Sequence, residues 1–118
     1  MTRHVIDTDE VLADLQTIVT EYGDGYVDPN FATGCCYYHP STGAPSCIVG
    51  HVLNKHGLLM GVADADVNYH PVRDVTVIHY AFTPEAEIVL EVAQSAQDAG
   101  KTWGEALVAA KEAASSVE

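Results

Sequence analysis

Basic residues are what this sequence has least of: five Lys and Arg stand against 17 Asp and Glu in 118 residues, a formal net charge of -12. The five (Arg3, Lys55, Arg73, Lys101, Lys111) are scattered singly. No patch exists that could neutralise a run of phosphates, so direct nucleic-acid binding is not expected, and an anionic membrane surface would repel the chain for the same reason. Long apolar runs are also missing. Stretches such as Ala106 to Ala110 or Ile88 to Leu90 are only a few residues long, far short of the roughly 20 that span a bilayer. Met1 to Asp9 has no apolar segment behind Arg3 and no small-residue cleavage site, so no signal peptide is expected and the cytoplasm is the expected compartment. The cysteines are few, odd in number and partly adjacent (Cys35, Cys36, Cys47). That pattern argues for thiols over a secreted disulfide framework, although a Cys36 to Cys47 bridge across a hairpin is imaginable. Internal repeats and low-complexity tracts are absent.

What remains is a composition able to fold. Hydrophobic residues make up 47% and charged residues 19%, as in an ordinary globular protein, and the length suits one domain, 1–118, around one core. The charge is uneven. Residues 1–33 carry a net -6 and residues 83–118 a net -5, whereas residues 34–82 carry only -1 and hold every cysteine and five of the six histidines.

The spacing of apolar residues predicts a mainly α fold with at most a minor β element, α+β being the alternative. Asp7 and Glu10 form a capping box ahead of Val11, Leu12, Leu15, Ile18, Val19 and Tyr22, which recur at helical spacing up to Gly23, so a helix is predicted over 8–22. Residues 23–34 read as an irregular loop pinned by Tyr26, Val27 and Phe31, and 35–39 as an extended segment. Ser46 is expected to cap a short helix over 47–56 with Cys47 in its first turn, stopped by Gly57. For 58–82 the pattern favours helix or irregular structure over a sheet, since Val72, Val75 and Ile78 fit one helical face. Thr83-Pro84-Glu85 starts a helix that Gly100 ends, and Thr102 with Glu105 opens another whose face is Trp103, Ala106, Leu107, Ala110, Ala113 and Ala114. So short a connection predicts an antiparallel hairpin with Trp103 as its buried anchor.

Two stretches carry a resemblance: Cys36-Tyr37-Tyr38 leading into Pro45-Ser46-Cys47-Ile48-Val49-Gly50, and Ala93-Gln94 with the run Gln97 to Leu107. Together they resemble small uncharacterised proteins of actinobacteria and their phages. The resemblance implies an origin and brings no activity with it.

Three constellations could carry chemistry. Cys36, His39, Cys47 and His51 have the ligand types of a zinc site, at intervals that do not match a zinc finger. Cys47 near a helix N-terminus, with His51 four residues on, has the spacing of a thiol nucleophile and base, but no orienting group or oxyanion donor accompanies it. Asp64, Asp66 and Asn68 alternate like a calcium loop and lack its glycine and closing glutamate, so a solvated turn is the reading. The acidic helices could imitate the phosphate track of DNA or simply keep the chain dissolved. By elimination the expected function is a non-enzymatic module that binds another protein, with a phage-encoded modulator of a host factor as one form of it and zinc binding or DNA mimicry as alternatives.

Overall fold

The computed structural model describes residues 5–28, 37–38, 42, 44–59, 72 and 75–116. Five helices order them: α1 (Thr8–Tyr22), α2 (Ile48–Lys55), α3 (Thr76–Ala81), α4 (Pro84–Asp98) and α5 (Trp103–Ser116). Among these residues the β content is two isolated bridges, a parallel one between Ile6 and Phe82 and an antiparallel one between Tyr38 and Pro45. The fold is mainly α with a minor β element.

Three helices start where local chemistry says they should. The Asp7 side chain accepts the Glu10 N–H at 2.9 Å while Glu10 reaches back to Asp7, opening α1. The Thr83 hydroxyl accepts from Ala86 N at 3.2 Å ahead of Pro84, opening α4. At α5 the Thr102 hydroxyl accepts from Glu105 N at 3.1 Å, and the Glu105 carboxylate accepts from Thr102 N at 3.0 Å. Two ends are also alike. Gly57 (φ 71) and Gly100 (φ 85) close α2 and α4 in the left-handed region. After α4, Gly100 N donates to Gln97 O and Lys101 N to Ala96 O; after α2, Gly57 N donates to Asn54 O and Leu58 N to Leu53 O. Both are the paired bonds of a Schellman ending. Gly23 differs: its φ is positive but its ψ of 144 is extended, so α1 ends without a left-handed helical residue.

The turn at Gly100 folds α5 back along α4 as an antiparallel hairpin, and α4 is the central helix, touching α1, α2, α3 and α5. One apolar cluster joins them. It includes Val11, Leu15, Ile18 and Val19 of α1, Val49, Val52 and Leu53 of α2, Val89, Leu90 and Ala93 of α4, and Trp103, Ala106 and Ala110 of α5, each essentially without solvent exposure. Val72, Val75 and Ile78 are buried together in or before α3, as their helical spacing predicted. Side-chain burial of this kind is the main stabilising contribution, at about 1.5–3 kcal/mol for each large apolar residue.

The start of α2 departs from the sequence reading. Ser46 does not cap it: it stands one residue before the N-cap position, and its N–H donates to Tyr37 O (3.1 Å) beside the Tyr38–Pro45 bridge. Cys47 takes the extended N-cap conformation instead (φ -86, ψ 172), and its Sγ accepts the Gly50 N–H at 3.3 Å. Gly50 is obligatory here: a Cβ at that position would stand 2.1 Å from the Tyr37 carbonyl oxygen.

Candidate functional site

Of the four residues read as zinc ligands, Cys47 and His51 are placed, and Cys36 and His39 lie outside the described residues, as do Asp64, Asp66 and Asn68. Cys47 is fully buried at the α2 N-terminus. A thiol with no exposure has no path to a substrate unless the helix is uncovered. The half-buried His51 ring lies edge-on to Tyr22 and Trp103, at centroid distances of 5.0 and 5.5 Å. Among the described residues no three His, Cys, Asp or Glu side chains converge as a metal would require.

His51 belongs to an aromatic cluster. Trp103 packs edge-on against Tyr26 at 4.6 Å and tilted against Tyr22 at 5.2 Å, separations at which the rings fill their own space. The loop after α1 is fastened to the start of α5 by backbone: Trp103 N donates to Tyr26 O at 2.7 Å and Gly104 N to Asp24 O at 3.0 Å. These bonds satisfy amides that a helix N-terminus leaves open. A side chain at Gly104 would meet the Asp24 carbonyl oxygen at 2.8 Å, so the clasp needs glycine.

A second polar group sits at the far end of α4. The fully buried Gln97 accepts the Ile48 N–H at 2.7 Å, capping α2 from 49 residues away. Its Nε2 donates to Asp98 Oδ1 at 3.3 Å, and Gln94 Nε2 donates to the same oxygen at 3.0 Å. Burial pushes the Asp98 carboxyl above the ordinary aspartate value; the two amides oppose that shift and the nearby Asp28 charge adds to it. Burial, with help from Asp28 and Tyr22, likewise raises the Tyr26 hydroxyl. The chemistry of this network is positional: the carboxylate holds two amides, and one of them holds α2. Between α1 and α2, His56 Nε2 meets Asp14 Oδ2 at 2.5 Å beside the edge of Phe82.

Among the described residues, α1 and α5 border two neighbouring recesses. The early residues of α1 lie beside the end of α5 and its late residues beside the start of α5, so the two helices run antiparallel and leave a crevice. Lys111 Nζ donates to Gln16 Oε1 at 3.4 Å across it. On the side toward Asp24 the groove encloses about 680 Å³ and opens to solvent. Its α5 wall carries Glu105, Val108, Ala109 and Glu112, with Leu107 at its base and Lys101 at one end. Val108 is 55% exposed, whereas Trp103, Ala106, Leu107 and Ala110 of the same helix are buried. The Thr102 backbone N–H and then its hydroxyl hold the Glu105 carboxyl below the ordinary glutamate value, with Lys101 assisting.

The chain matches no protein family, no curated protein and no solved structure. Sequence reasoning missed the groove because it is made by α1 meeting α5. One signal was present: Val108 is the large apolar residue of α5 that falls off the face set by Trp103, Ala106, Leu107 and Ala110, and glutamates lie three residues before it and four after.

Proposed function

We propose that this chain is a non-enzymatic module that docks a protein partner in the groove between α1 and α5. The observation that carries the reading is Val108, a half-exposed apolar side chain set in an acidic recess, whereas the other large apolar residues of its helix, Trp103 and Leu107, are buried. An apolar centre within a charged rim is the usual anatomy of a docking patch. The groove volume lies within the range of ligand clefts, but its open wall of charges and one β-branched side chain suits a polypeptide better than a small enclosed substrate. No helix among the described residues is long and apolar enough to cross a membrane, which is consistent with a module that meets its partner in an aqueous compartment. The cytoplasm is the compartment proposed. The actinobacterial and phage resemblance makes modulation of a host factor the setting proposed for it.

The test compares the whole chain with a Val108→Asn variant, which keeps charge and helix and removes the apolar centre. Both are immobilised after their melting midpoints are shown to agree, and a cell extract is passed over each. Proteins held by the parent and lost from the variant support the reading. An identical retained set on both would sink it.

A further inference from the structure

We infer that the occupant of the α1–α5 groove is a basic amphipathic helix, one that places an apolar anchor between two cations about two turns apart. The inference rests on the groove being the docking site and specifies the chemistry of what docks.

Shape comes first. The groove runs along α5, with Gln16 of α1 and Asp24 of the following loop at its other side, and a trough beside a helix is a seat into which another helix packs its side-chain ridges. A strand would need a free sheet edge to extend, and the described residues offer only two isolated bridges. The helix-in-groove mode reads anchors at i, i+3, i+4 and i+7. Glu105, Val108, Ala109 and Glu112 stand at that spacing on α5, covering about 10 Å of helix at 1.5 Å per residue.

Charge then selects the partner. Along that stripe the order is acid, apolar, apolar, acid, and Asp24 beside the start of α5 adds a third acid; the cations are Lys101 at one end and Lys111, which is turned to Gln16. The complement is a helix that reads cation, apolar, apolar, cation. A second copy of this chain is a poor occupant, since its own charge of -12 would set like charges face to face. The Glu105 carboxylate is held in position by two bonds from Thr102, at 3.0 and 3.2 Å.

Three synthetic helix-forming peptides test this against the full isotope-labelled chain, followed by amide chemical shifts. The first has Lys at i and i+7 with Leu at i+3 and i+4; the second replaces both Lys with Glu; the third scrambles the first. The first should move amides of residues 104–112 and bind at least roughly tenfold tighter than the other two, the effect of reversing a few exposed ion pairs. The double substitution Glu105→Gln and Glu112→Gln should lose most of that preference while keeping the cap, because Gln also serves in a capping box. Rising salt should weaken the first peptide alone. Equal binding of the Lys and Glu peptides at residues 104–112 overturns the charge assignment and leaves the groove as a docking site. Binding of the first peptide elsewhere, equal binding of the scrambled one, or no binding at all overturns the inference outright, and the Val108→Asn comparison then judges the groove independently.

Discussion

The starts of α5 and α2 are capped by different chemistry. At α5 Thr102 and Glu105 satisfy each other within four residues, and the distant loop after α1 supplies Asp24 O and Tyr26 O to the amides of Gly104 and Trp103. At α2 the cap is a sulfur, Cys47 Sγ, helped by the amide oxygen of Gln97 from across the core. Both ends pair a local cap with a distant one, and they differ in the groups used: a full capping box and two backbone carbonyls at α5, one sulfur and one side-chain amide at α2. The difference teaches that the start of α2 hangs on two side chains, either of which a single substitution removes.

Removing Trp103 should break both ends at once, because it begins α5 and also packs against His51 of α2. Trp103→Ala is expected to cost about 3–5 kcal/mol, read as a large fall in the thermal midpoint. A variant that melts with the parent would show that the two ends do not share this anchor.

A smaller change sharpens the contrast. Gln97→Met keeps the volume and leaves the Ile48 N–H without its acceptor, for an expected loss of about 1–3 kcal/mol. Thr102→Ala removes an exposed cap, for a loss of about 1 kcal/mol. In urea titrations the Gln97 variant should be the weaker of the two. The reverse order would mean that the distant cap is dispensable.

The smallest effect is electrostatic, and its sign differs between the two ends. Asp98 has a raised folded pKa, so the native state holds its proton more tightly than the unfolded chain, and its contribution to stability falls as pH rises through the window just above the ordinary aspartate value. Glu105 has a lowered folded pKa; its contribution is present above the ordinary glutamate value and is lost as pH falls through the folded one. Relative to the parent, Asp98→Asn should therefore gain stability with rising pH, and Glu105→Gln should gain it as pH falls. Urea midpoints across the acid range for the three proteins check both signs. Parallel profiles would show that neither carboxylate is linked to folding.

The same contrast governs what could be read from sequence. The spans of α1, α4 and α5 were legible because Asp7, Thr83 and Thr102 act on residues within the first turn, and Trp103 was legible as an anchor because it follows a cap on an apolar face. The α2 cap was misread as Ser46, which stands one residue before the N-cap position and donates its N–H to Tyr37 O, nine residues away. Gln97 looks like an ordinary polar position of a helix, and only the arrival of Ile48 makes it structural. Of the proposed zinc ligands, Cys47 and His51 could be placed, and their surroundings, a backbone amide for one and two aromatic rings for the other, come from the fold rather than from spacing. The groove follows the same rule, for Val108 gains meaning only when α1 is laid beside it.

The bond from Ile48 to Gln97 also orders events in time. The α4–α5 hairpin closes over a handful of residues and can form early, whereas this bond requires a segment of 49 residues to be looped shut first, a search whose entropic cost grows with length. The first turn of α2 is therefore expected to close after that hairpin, as are the bonds from Trp103 and Gly104 to the loop after α1. Hydrogen exchange should find the Ile48 amide opening ahead of the α4 interior, which would make this short helix the chain's own gauge of whether the rest has assembled.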